Sequence, residues 1–204
     1  MYRFLIGLLL LCAPSTGFSQ EAEKRLITWE DSLGLVKHVE MNVIDDVVGG
    51  CWKNKSSVEA EVRLLFEQSD IAVVRKPLAF NFLAAPQVEL SGVGYRAGDL
   101  LCVGMARLTV YYYSLVPAFH LSGTSVNAKV ELFEVSAVFS NSTSQGLDAQ
   151  FSDFFRDNAS NFASDVLSAR RSEDVVAFFE EFPIFGKDPM TREEWDGLVN
   201  SMDD

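Results

Sequence analysis

Between residues 33 and 140 apolar and polar side chains mostly alternate, whereas from residue 146 the apolar ones recur at spacings of three, four and seven. A period of two turns one side of a strand toward a core, and a period near 3.6 does the same for one face of a helix. The chain therefore reads as a strand-rich stretch followed by a helical one. The clearest strand covers 100–116, LLCVGMARLTVYYYSLV, with Cys102, Ala106, Leu108, Val110 and Tyr112 on one side and Met105, Arg107, Thr109, Tyr111 and Tyr113 on the other. Its β-branched and aromatic residues suit a pleated surface, and Pro117 ends it.

Residues 33–44 fit both periods: Leu33, Leu35, Val39, Met41 and Val43 alternate, while Val36, Val39, Val43 and Val47 keep helical spacing. The density of β-branched side chains favours a strand, and Gly49 and Gly50 break it ahead of Cys51. A helix is expected over 57–68. There Val58, Val62, Leu65 and Phe66 form a stripe, Ser56 or Ser57 can cap, and Glu59 and Glu61 sit where the helix dipole favours acids. Residues 71–74 and 78–83, separated by Pro77, read as an interrupted edge strand with Phe80 and Phe82 on one face.

The glycine-rich stretch 84–99 reads as a wide hairpin connection in which Val88 to Leu90 extend one arm. Residues 126–140 form another strand whose apolar side switches midway, which places a bulge near Leu132 and Phe133. Leu147, Phe151, Phe154, Phe155, Phe162 and Val166 define an amphipathic helix of about 22 residues. Ser172 opens a shorter helix that Pro183 stops, and Thr191 with Glu194 caps a last one around Trp195.

This order predicts an α+β fold: a mostly antiparallel sheet of four to five strands with helices packed on one face. The run VEAEVRLLFEQSDIAVV, 58–74, followed by the strand at Phe80, the long strand at Leu100 and a Phe-rich C-terminal helix, resembles exported bacterial α/β proteins of unknown function. Their helix has the form E-x-x-L-R-x-x-G-I-x-V, and Asp70 stands here where that pattern has glycine. The likeness covers roughly residues 33 to 180. It implies a fold and a compartment and brings no catalytic residue with it.

Residues 1–19 have the parts of a secretory signal: Arg3, an apolar run from Phe4 to Leu11, and the small residues Gly17 and Ser19 before a cut between Ser19 and Gln20. The apolar run is shorter than the roughly 20 residues a membrane span needs. Residues 20–204 are then one periplasmic or secreted domain with no stable membrane span. The chain has 17 basic and 29 acidic residues; losing Arg3 leaves 16 against 29, or −13. So acidic a surface repels phosphate backbones, which argues against nucleic acid as a partner. Cys51 and Cys102 remain as an even pair in an oxidising compartment, and a disulfide between them is the expectation.

Candidate chemistry is thin. Cys51 in GGCW superficially looks like a papain-type nucleophile, which needs a histidine; His38 and His120 are the two available, and Cys102 competes for the thiol. Two distant histidines make a poor zinc site, and Asp153, Asp157, Asp165 and Glu173 lack the spacing of a calcium loop. GVGYRAG, 92–98, precedes a strand where a phosphate loop would precede a helix. No catalytic residue, metal site or cofactor is therefore assigned. Tyr111 and Tyr113 share one strand face, where they either pack across strands or offer an interface. Phe182, Ile184 and Phe185 either fold back on the sheet or present an apolar hook. The resulting expectation is an exported, non-enzymatic protein-binding or assembly module of the cell envelope, acting on an envelope partner or on itself. The alternatives are an envelope hydrolase whose carboxylates converge only in the fold, and a carrier of small apolar ligands.

Overall fold

The computed structural model describes residues 28–74, 86–98, 100–117 and 125–181. The secretory signal, the Phe80 strand, His120, Phe182, Ile184, Phe185 and the Trp195 helix lie outside them. The described chain runs α1 (Trp29–Ser32), a single 3-10 turn (Leu33–Leu35), β1 (His38–Val47), α2 (Lys55–Gln68), β2 (Ala72–Val74), β3 (Gln87–Ala97), β4 (Leu101–Pro117), β5 (Ser125–Asn141), α3 (Ser144–Ala169) and α4 (Glu173–Glu181). The ambiguous 33–44 stretch is thus divided: its first residues form the 3-10 turn, and the strand extends beyond it to Val47.

The strands form one sheet in the order β2-β1-β3-β4-β5. The α+β class is as expected, but the sheet is mixed. β3, β4 and β5 form an antiparallel meander, while β1 runs parallel to both β2 and β3. Parallel neighbours need a long crossover, and α2 supplies it between β1 and β2. A reading based on hairpins alone does not anticipate this, because it pairs strands that are consecutive in sequence.

The β3–β4 hairpin is also tighter than 84–99 suggested. β3 continues through Gly92 and Gly94 to Ala97, opposite Leu101. Gly92 is in a strand because Trp52 lies on it: a Cβ there would stand 2.5 Å from the indole ring. Absence of a side chain serves close packing here, not turn flexibility. The bulge falls where the switch of apolar side placed it, since Val110 pairs with Phe133 and Tyr111 with Glu131, leaving Leu132 over.

One face of the sheet carries the helices. Cys102, Ala106, Leu108 and Val110 of β4 are fully buried there, with Val39 of β1 and Val88 and Leu90 of β3. Phe151, Phe155 and Phe162 of α3 and Val58, Val62 and Phe66 of α2 complete the core. Phe66 and Phe162 meet edge to face at 6.0 Å, and Trp52 stacks on Phe155 at 6.0 Å. Cys51 and Cys102 form the expected disulfide, fully buried, which fastens the loop after β1 to the start of β4. α2 and α3 are joined through the Asn54 side chain, whose amide donates to the Asp148 carbonyl and to the Ser152 hydroxyl. Asn54, rather than Ser56 or Ser57, is the N-cap position of α2.

A second fastening sits at the opposite end. Arg170, just past α3, donates to the main-chain carbonyls of Val36 and Asp70 at 2.7 and 2.9 Å, tying the end of the 3-10 turn ahead of β1 to the α2–β2 turn. Burial lowers the pKa of its guanidinium, an effect opposed by Asp70. Asp70 has φ 57 and is the one described non-glycine residue with positive φ. That left-handed geometry is one that glycine adopts without strain.

Candidate functional site: the uncovered face of the sheet

Because side chains alternate along a strand, burying Cys102 to Val110 under α3 turns Val103, Met105, Arg107, Thr109, Tyr111 and Tyr113 to the other face. No helix with more than marginal contact to the sheet lies on this side among the described residues. The register builds it in rows. Glu40, Gln87, Tyr111 and Glu131 form one row; Asn42, Glu89, Thr109 and Glu134 form the next; Ile44, Ser91, Arg107 and Ser136 form a third. Asp46, Val93, Met105 and Val138 follow.

The face is therefore polar and acidic at the Tyr111 end and apolar at the other. At the apolar end Val93, Tyr95 and Val138 are exposed, Val138 by 74%. At the polar end Tyr111 is 8% exposed, and its hydroxyl donates to Gln87 Oε1 at 2.9 Å. Tyr113 meets the Tyr111 ring edge to face at 5.7 Å. Lys129 Nζ sits 4.1 Å from the Tyr111 ring centroid and 3.2 Å from Glu131 Oε1. Arg107 approaches Glu89 at 4.0 Å. Burial, then the negative charge of Glu89 and the neighbouring Tyr113 phenol, push the Tyr111 pKa up to about 12. It remains a neutral hydrogen-bond donor at physiological pH.

Of the two roles the sequence allowed, Tyr111 takes cross-strand packing, against Gln87 and the ring of half-buried Tyr113. The companions Gln87, Glu89, Lys129 and Glu131 were missed, because they come from the two neighbouring strands and only the register collects them. The alternation around Tyr111 was the available signal for which face to inspect. Cys51 has no thiol to act as a nucleophile, since it is bonded to Cys102. Asp153 and Asp157 are ion-paired with Arg156 on the exposed side of α3. Asp165 instead lines an open hollow of about 690 Å³ with Glu30, Asp31 and Arg171, between α1 and the end of α3. No group of three or more metal-ligating side chains occurs among the described residues.

No protein-family model matches this chain, and no characterised protein matches it in sequence. Among solved structures, a minor lipoprotein from Acinetobacter baumannii is similar at 12% identity over 67% of this chain and 96% of that one, with a TM-score of 0.33. A likeness that loose carries no argument about function.

Proposed function

We propose that the protein is an exported, non-enzymatic binding or assembly module of the cell envelope, and that it engages a protein partner through the uncovered sheet face. The observation that carries this reading is the face itself. It carries a tyrosine pair held by Gln87 and Lys129 at its polar end and exposed Val93, Tyr95 and Val138 at the other, with the Thr109 and Arg107 rows between them. Ordered aromatic side chains with apolar flanks and a charged border are the usual composition of a protein contact surface. The buried disulfide and the N-terminal leader pattern support export.

A photo-crosslinking residue at Tyr113 or Tyr95, introduced into the protein in its native cells, is expected to capture a discrete adduct. The same residue at exposed Leu64, on the helical side of the molecule, is expected to capture none. Equal labelling at all three positions, or none at any, counts against the proposal.

A further inference from the structure

Among the described residues β5 is the outermost strand on one side of the sheet, and it is 17 residues long. A short edge is one way a fold avoids recruiting foreign strands, and β5 does not take it. Its side away from β4 carries a row of main-chain N–H and C=O groups, and the chemistry that satisfies such a row is another strand.

Part of this edge also projects. β3 begins at Gln87 opposite Tyr111, so the six pairs from Tyr112 with Val130 to Pro117 with Ser125 extend beyond it. Among the described residues they make a two-stranded ribbon about 20 Å long. A ribbon of two strands is marginally stable without further cover. Its base is marked by the bulge at Leu132, which bends and twists the strand and separates the ribbon edge, 125–131, from the rest of β5.

The charges on this edge are self-complementary. When a strand pairs antiparallel with a copy of itself about a two-fold axis normal to the sheet, the axis must pass through a residue, because opposed side chains share a face. Centring on residue 129 sets Lys129 against Lys129, and centring on 131 sets Glu131 against Glu131. Centring on Val130 sets Lys129 against Glu131 of the second copy, twice. Lys129 is already held for this by the Tyr111 ring and its own Glu131. The geometry points to a homodimer formed by antiparallel β5–β5 pairing centred on Val130, giving one continuous ten-stranded sheet with both uncovered faces on the same side. Each Tyr111–Glu131 row then continues into Lys129 and Tyr113 of the second copy, so the two tyrosine pairs become one surface. This deepens the proposed function and rests on its choice of face. The formal charge of −12 per chain opposes association at long range and is screened at moderate salt.

Sedimentation equilibrium of the mature protein at physiological salt tests the pairing. A concentration-dependent dimer is expected. Lys129→Glu and Glu131→Lys each oppose like charges, and each should weaken dimerisation by about tenfold. The double exchange Lys129→Glu with Glu131→Lys restores opposite charges at both contacts and should recover most of the loss. Unchanged thermal melting of the variants at low protein concentration excludes unfolding as the cause. A wild-type protein that stays monomeric at high concentration overturns the inference, as does a double exchange no better than either single one. A monomer that is still crosslinked through Tyr113 overturns the pairing and leaves the envelope-binding reading standing. A dimer that captures no other protein does the reverse.

Discussion

The two faces of β4 are built from the same strand, yet they are closed by different physics. On the covered face Cys102, Ala106, Leu108 and Val110 reach full burial under the aromatic side of α3. On the other face Thr109 and Tyr111 are buried as well, and among the described residues their neighbours there are the rows with Glu89, Glu134, Gln87 and Glu131 rather than a helix. The first arrangement is non-directional and contributes stability in proportion to apolar area. The second depends on hydrogen bonds and ion pairs that water can replace, so it contributes less stability. A single strand thereby separates a strong source of the fold's stability from a weak one.

That separation can be broken most directly at Phe151, which touches Trp52, Phe139 and Phe155. Phe151→Ala is expected to destabilise the protein by roughly 3–5 kcal/mol in urea unfolding. On the other face Val138→Ser, at an exposed position, should stay within about 0.5 kcal/mol. Comparable losses at the two sites would erase the distinction. Replacing Cys51 and Cys102 together by alanine tests the fastening of the covered face. The bridge joins residues 51 positions apart, and its loss should lower stability by roughly 2–4 kcal/mol.

Asp70 sharpens the comparison at the sheet's margin, where backbone geometry rather than burial sets the energy. Asp70→Ala keeps the positive φ and loses the side chain's contact with Arg170, and should destabilise by about 1 kcal/mol. Asp70→Gly relieves the backbone while Arg170 keeps its bond to the main-chain carbonyl, so its thermal midpoint should lie clearly above that of the alanine variant.

The smallest effect concerns Tyr111. Its pKa is raised from 10.0 to about 12 by burial and by Glu89. In alkaline titration followed by phenolate absorbance, one tyrosine should therefore ionise late, and Tyr111→Phe should remove that step. Because the folded state holds the proton more tightly than the unfolded one, Tyr111's contribution to stability is complete below pH 10 and is lost between about pH 10 and 12. A titration in which all tyrosines ionise together near their ordinary value contradicts the buried environment assigned to it.

Much of this arrangement was legible from local pattern. The stripe from Leu147 to Val166 marked α3, the change of apolar side marked the bulge at Leu132, and the alternation along 100–116 separated the two faces of β4. The Cys51–Cys102 bridge followed from count and compartment. The glycines of 92–98 misled because a glycine required by Trp52 packing looks the same in sequence as one required by a turn.

What the chain alone determined is therefore whatever a period or a parity records: which residues of an element share a side, and which sides are apolar enough to need cover. Those are properties of a few neighbouring residues, set by the 2.0 and 3.6 repeats of the backbone. Only the tertiary structure decided that β1 lies parallel to β3, that Gln87, Tyr111 and Glu131 stand in one row, and that the β4–β5 ribbon outruns β3. Strand order and register are fixed by contacts between distant segments competing for one core, and that competition leaves no local pattern to read.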